Sequence, residues 1–243
     1  MGFIVSCDVK VFKSLDDLSY HFAELLMNEV NSAKHLFNLV LSGGTTPKNI
    51  FNFLAINYQT KINWNMINFF WGDERCVTPD NDESNYKLAF DNLLSKVNIP
   101  VENIHRIVGE AIPEVETDRY SELIKNNVPL ENGTPVFDMI MLGLGEDGHI
   151  ASIFPNQLNL INSNTICAVA IHPSSNQKRI TLTGKVINSS KNIVFVVTGE
   201  KKSKVAYEII SNKSNSNKYP ASFIRPINGK LIWLMDQSAA SLL

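Results

Sequence analysis

The residue types best suited to chemistry fall in Leu142-Gly-Leu-Gly-Glu-Asp-Gly-His-Ile-Ala-Ser152, where a histidine and a carboxylate share a glycine-rich turn. His149 can exchange a proton near neutral pH, which suits a general base. Asp147 either orients that ring or simply caps the element that follows. The turn comes directly after residues 137–142 (FDMIML), a nearly unbroken apolar run that reads as a parallel strand covered on both faces. Three glycines in the next six residues end it. The histidine therefore sits at the carboxyl mouth of a strand, the side on which open α/β sheets bind ligands.

A second group has the character of an anion site. Ser42-Gly-Gly-Thr-Thr-Pro47 lies between the apolar run 36–41 and a helical stretch at 48–56. Gly43 and Gly44 let backbone amides approach a ligand, while Ser42 and Thr45 add hydroxyls. The following helix offers free N–H groups and the positive end of its dipole. The loop lacks the Gly-Lys-Ser/Thr ending of a Walker loop and the spacing of Gly-x-Gly-x-x-Gly. Phosphate cradle and plain capped turn are both open readings of this loop taken alone.

Three further clusters follow strands or strand-like runs. Gly72-Asp-Glu-Arg75 succeeds residues 67–71 and leads to Ser84-Asn85-Tyr86. Adjacent Asp73, Glu74 and Arg75 are commonly a solvated charge cluster, but here their position favours a site. Arg179, in Arg179-Ile-Thr-Leu-Thr183, and Lys202, ending Val197-Thr-Gly-Glu-Lys-Lys202, are the best-placed cations for a phosphate. Cys76 has no assignable partner, and His21, His35, His105 and His172 read as structural.

The elements that must position these groups alternate. Residues 36–41, 67–71, 137–142, 167–171, 193–197 and 231–235 read as strands, with amphipathic stretches between several of them. Ser14 and Asp17 form a capping-box variant, opening a helix with Leu15, Leu18, Phe22, Leu25 and Leu26 on one face. Strands joined through helices imply a mostly parallel sheet. Residues 128–135 and 211–219 read as loops, neither long enough for an interdomain linker. The 243 residues are expected to form one domain, 1–243.

Composition excludes several classes. With 22 Lys plus Arg against 24 Asp plus Glu, the net charge of −2 gives no sign of a nucleic-acid or anionic-membrane partner. Cys7, Cys76 and Cys167 lack metal-ligand spacing, and their odd number fits a reducing cytoplasm better than a disulfide framework. Residues 1–11 lack a signal-peptide pattern, and no apolar run reaches a membrane-spanning length. No second histidine stands at ligand spacing from His149, so no metal is expected, and no cofactor is required.

Taken in order, Leu41-Ser-Gly-Gly-Thr-Thr-Pro47, Asp73-Glu-Arg75 with Ser84-Asn85, Leu142 through His149 with Ala151-Ser152 and Phe154-Pro155, Arg179 through Thr183, and Gly199-Glu-Lys-Lys202 resemble the 6-phosphogluconolactonase family. That family lies within a broader group containing glucosamine-6-phosphate isomerase/deaminase. The resemblance implies a modified Rossmann-like open α/β sheet, mostly parallel, with helices on both faces and no bound dinucleotide. It implies hydrolysis of 6-phospho-D-glucono-1,5-lactone to 6-phospho-D-gluconate, the second step of the oxidative pentose phosphate pathway. In the deaminases the residue before the proline is acidic; here it is Phe154, which favours the lactonase. Thr45, Ile150 and Ile153 are conservative departures from the usual lactonase pattern.

On this reading His149 activates water, Asp147 or Asp73 orients the His149 ring, and Arg75 stabilises the oxyanion or binds substrate. Ser42, Gly43, Gly44, Thr45, Arg179 and Lys202 hold the phosphate. The partner is a sugar-phosphate lactone, and the protein is expected to be a monomer or weak homo-oligomer. The alternatives are a glucosamine-6-phosphate deaminase/isomerase and a non-catalytic sugar-phosphate sensor domain.

Overall fold

The computed structural model describes residues 7–243, so 1–6 of the leading stretch lie outside the described residues. In chain order its strands and α-helices are β1 (Cys7–Phe12), α1 (Leu15–Ser32), β2 (Phe37–Leu41), α2 (Thr45–Asn57), β3 (Ile67–Trp71), β4 (Asp73–Arg75), α3 (Asn85–Asn92), α4 (Pro113–Asn127), β5 (Leu130–Glu131), β6 (Thr134–Pro135), β7 (Met139–Leu142), β8 (Cys167–Ile171), β9 (Lys178–Leu182), α5 (Gly184–Asn188), β10 (Asn192–Val197), α6 (Ser203–Ile210) and β11 (Lys230–Asp236). The capping signal at Ser14 is realised. The Asp17 N–H donates to Ser14 Oγ at 3.1 Å, and that hydroxyl donates to the Asp17 carboxylate at 2.8 Å. Leu18, Phe22 and Leu26 on α1 are buried.

Six strands form one sheet in the order β1-β11-β10-β7-β2-β3, and every pairing is parallel. All residues of β2, β3, β7 and β10 are buried, the signature of a sheet covered on both faces. From β2 the chain crosses outward to β3. From β7 it proceeds the other way, to β10 and β11. The direction of winding thus reverses between β2 and β7, which pair through Leu39 with Met139 and Val40 with Ile140. A crevice opens outside the carboxyl ends of two such strands, and here those ends lead into the loops beginning at Ser42 and Gly143.

The segment 167–171, expected among the strands, forms β8 in a separate antiparallel sheet of order β4-β9-β8. The reason is the connection: residues 172–177 form a short turn closed by the His172 N–H on the Gln177 carbonyl, whereas a parallel return needs a crossover of a dozen residues or more. This small sheet carries Arg75 and Arg179 as directly paired residues. Residues 128–135, read as loop, contain the minimal hairpin β5–β6, whose Asn132 and Gly133 have φ of 50° and 77° as a primed turn demands. Residues 211–219 contain no strand; Ser214–Lys218 is a short 3-10 turn. Edge strand β1 bears charged Asp8 and Lys10 among its outward positions, which hid it from a search for apolar runs.

Candidate active site

The anion loop owes its form to two glycines and a proline. Helix α2 starts at Thr45, three residues earlier than its apolar pattern, with Gly44 as cap at φ 105°. Lys48 makes the first helical hydrogen bond back to Gly44, leaving the Thr45 and Thr46 N–H groups without intrahelical acceptors. Pro47 occupies the third position, where its missing N–H removes no helical bond. Gly43 must lack a side chain: a Cβ there would lie 1.8 Å from Asn85 Oδ1. Thr46 Oγ1 meets Thr198 Oγ1 at 2.6 Å, tying the start of α2 to the end of β10.

The loop after β7 fixes the histidine. His149 Nδ1 lies 2.6 Å from Asp147 Oδ1, and the same oxygen accepts the His149 backbone N–H at 3.1 Å. Two bonds from one residue onto one carboxylate oxygen define both the ring's position and its proton-bearing nitrogen, leaving Nε2 as the free base position. Burial disfavours the ionised Asp147, but the hydrogen bonds and charge of His149 outweigh it, and the carboxyl titrates below its ordinary range. Gly145 makes room: a Cβ there would stand 2.1 Å from His149 Nδ1 and 2.5 Å from Asp147 Oδ1. Of the two carboxylates that sequence left as candidates for orienting the ring, Asp147 is the one that reaches it.

Asp73 is engaged elsewhere. Its carboxylate accepts Ser152 Oγ at 2.7 Å and Asn85 Nδ2 at 3.3 Å, and the residue is buried. Neighbouring Glu74 is no surface charge either: its oxygens accept the N–H groups of Arg75, Asn85 and Tyr86 and the Ser84 hydroxyl, capping α3. Burial raises its carboxyl, with those N–H donors acting in the opposite direction.

A single cleft of about 510 Å³ brings together Ser42, Gly43, Gly44, Thr45, Asp73, Arg75, His149, Arg179 and Lys202. Asp147 stands behind His149 rather than in the lining. Arg75 donates to the Glu83 carbonyl, while its Nε is buried without an acceptor. Arg179 donates through Nε to Gln177 Oε1 at 3.3 Å. Burial, and then Arg75, lower the proton affinity of Arg179, yet a guanidinium stays charged. Burial also lowers Lys202, partly offset by Glu146 and Asp147. Two crowded guanidiniums, an ammonium and the N-terminus of α2 share this cleft, and all are groups whose chemistry suits an anion. Among the described residues no three His, Cys, Asp or Glu side chains converge to hold a metal ion, and no helix is long and apolar enough to cross a membrane.

Sequence reasoning missed the supporting roles of Asn85, Ser152, Thr46 and Thr198, whose partners are far away in the chain. It also left His172 as structural. That ring lies beside the site, edge-on to Phe154 at 5.2 Å, with Nδ1 facing the Ser174 and Ser175 N–H groups. Cys76 is inert as read: burial pushes its thiol up to about 11.

A parallel α/β sheet with a glycine-rich loop and a carboxylate-oriented histidine at its switch point, beside paired arginines, defines an open α/β protein with its ligand crevice at the carboxyl ends of the strands. Residues 13–233 match the family model described as glucosamine-6-phosphate isomerases/6-phosphogluconolactonase. The chain is 44% identical over 214 residues to 6-phosphogluconolactonase of Haemophilus influenzae, covering 86% of this chain and 88% of that one. It is 40% identical over 174 residues to 6-phosphogluconolactonase of Treponema pallidum, covering 72% of each. The solved structure of 6-phosphogluconolactonase from Trypanosoma brucei superposes with a TM-score of 0.89 at 25% identity, covering 98% of this chain and 99% of that one. The chain belongs to the glucosamine-6-phosphate isomerase/6-phosphogluconolactonase family.

Proposed function

We propose that the protein is a carboxylic ester hydrolase that converts 6-phospho-D-glucono-1,5-lactone to 6-phospho-D-gluconate. The observation that carries this reading is the His149–Asp147 pair at 2.6 Å, in the same cleft as the Gly43–Gly44 anion loop. The names of the relatives support the substrate.

Asp147 holds the Nδ1 proton of His149, so Nε2 takes a proton from water as the water oxygen bonds to the lactone carbonyl carbon. The carbonyl electron pair moves onto oxygen, where Arg75 stabilises the oxyanion. Collapse of that intermediate breaks the bond to the ring oxygen, which recovers the proton from His149 and leaves as a hydroxyl. Thr45, Thr46, Gly43, Gly44, Ser42, Arg179 and Lys202 bind the phosphate, whose remote binding energy positions the carbonyl. Asp73 serves the site by ordering the Ser152 turn and Asn85, rather than His149. No Gly-x-Ser-x-Gly elbow occurs in the chain, which supports direct attack by water over an acyl-enzyme.

The protein is read as a monomer or weak homo-oligomer, with one chain able to supply every one of these residues. Free Cys7, Cys76 and Cys167 support a cytoplasmic setting. The test follows 6-phosphogluconate from freshly made lactone through a coupled dehydrogenase, with spontaneous hydrolysis subtracted. Turnover no faster than the buffer blank removes the assignment, and ammonia release from glucosamine 6-phosphate would transfer it to the deaminase branch.

A further inference from the structure

Phe154 does not line the cleft, yet its ring neighbours three nitrogen-bearing side chains in and beside it, those of His149, His172 and Arg179. Its ring is buried, 1% exposed. Its backbone is extended, at φ −93° and ψ 160°, the region favoured before a proline such as Pro155. The His149 ring lies 5.0 Å from it, tilted by 47°. The His172 ring meets it edge to face at 5.2 Å, and the Arg179 guanidinium carbon lies 5.7 Å from its centroid.

Those three groups have no attraction for one another. Desolvation, followed by the charges of Arg179 and His149, makes protonation of His172 unfavourable, and Arg179 is in turn crowded by Arg75. A benzene ring is suited to stand among them because each face carries the negative part of its quadrupole and attracts cations, while its bulk keeps them apart. We infer that Phe154 is a positioning residue that holds the His149 imidazole and the Arg179 guanidinium at a fixed separation, with the imidazole tilted against its ring and the guanidinium over its face.

The inference builds on the hydrolase reading and extends it. As His149 takes the proton of water and becomes an imidazolium, the adjacent Phe154 ring stabilises that state at the moment it forms. The same ring aims the anion-binding Arg179, so one buried side chain links the base to the phosphate. Other charges around His149 are Asp147 on its own turn, Glu146 beside it, Lys202 beside those acids, and Arg75 with Arg179 from the small sheet. Of these, only Arg179 touches the Phe154 ring.

The test compares the native protein with Phe154→Leu, which keeps an apolar side chain but loses the π face, and with a fluorinated-phenylalanine series at 154, which keeps the shape while draining the ring face of charge. Three readouts are taken: the NMR titration of the His149 ring, the affinity for inorganic phosphate, and kcat and KM for the lactone. In Phe154→Leu the proton affinity of His149 is expected to fall about threefold, moving its titration and the acid limb of kcat/KM to lower pH. Phosphate affinity should weaken several-fold, and the fluorinated series should move both quantities in proportion to fluorine content. If Phe154→Leu does not fold, the fluorinated series alone decides. An unchanged His149 titration together with unchanged phosphate binding across the series overturns the inference. Because titration and phosphate binding are read without turnover, a native protein inactive on the lactone would remove the hydrolase reading and leave this test intact.

Discussion

The Nδ1 atom of His149 and the Oδ1 atom of Asp147 lie 2.6 Å apart, within a turn where Gly145 leaves no room for any side chain. The pair is thus built by three residue types inside five positions. Loss of either member should be felt in chemistry more than in binding. His149→Ala and Asp147→Asn should each lower kcat about 10²-fold or more with KM little changed, the scale of lost general-base catalysis. The double variant should be no worse than His149→Ala, since both changes disable one device. Native kcat in His149→Ala would remove that ring from the mechanism.

Gly145→Ala tests the turn without touching a reacting group. The new methyl carbon would overlap His149 Nδ1 and Asp147 Oδ1, so the ring must move by an ångström or more. Steady-state kinetics should show kcat lower by about 10²-fold, the usual effect of such a displacement. The melting temperature should change little. Full activity would mean that the ring works from another position.

Arg179 and Arg75 face each other across β4 and β9, so each has a neighbour of like charge. Such crowding is relieved when an anion binds between them. Arg179→Ala should raise KM for the phosphorylated lactone about tenfold or more with a smaller effect on kcat, as expected for one charge-assisted contact made alike in ground and transition states. Arg179→Lys should restore part of the loss, because a point charge replaces a fork. An unaltered KM would remove Arg179 from the phosphate site.

Ser152 donates to the buried Asp73 carboxylate at 2.7 Å. Ser152→Ala leaves a buried charge short of a partner and should destabilise the fold by about 1–3 kcal/mol. Thermal melting should fall by several degrees, about 2–4 °C per kcal/mol for a chain of this size. An unshifted melting curve would show that Asp73 finds a substitute donor.

Asp147 also makes an acid-stability prediction. Its carboxyl titrates lower in the folded protein than in the unfolded chain, so its pairing contributes stability that is complete above the unfolded value of about 3.9 and fades as pH falls through the folded one. Both partners are partly exposed, which keeps the contribution to about 1 kcal/mol or less. Urea melts between about pH 5 and pH 2 should show a shallower acid loss in Asp147→Asn than in the native protein. Parallel losses would mean that the pair does not couple to folding.

The sequence by itself determined the elements whose periodicity is strong and the turns whose residue types admit few conformations. Fully buried runs such as Ile67–Trp71, Ser14 as a cap, and the glycines flanking His149 are legible because each follows from local sterics or local burial. It also singled out residues that the structure gathers in one cleft, among them Ser42, Asp73, Arg75, His149, Arg179 and Lys202, because ligand crevices in such a sheet form where strands end. What stayed hidden was non-local or masked. β1 was concealed by its exposed charges, and β8 looked like any other strand until its short turn sent it into a second sheet.

Only the tertiary structure decided which carboxylate serves His149. Asp147 and Asp73 are alike in type and in strand-end position, and their roles separate through partners 79 residues apart in the case of Ser152 and Asp73. It decided, too, that the loops at Ser42 and Gly143 share one cleft, because β2 and β7 pair although about a hundred residues separate them. Strand order is a property of the whole sheet, fixed by burying both faces of every central strand at once. No local window of sequence contains that condition.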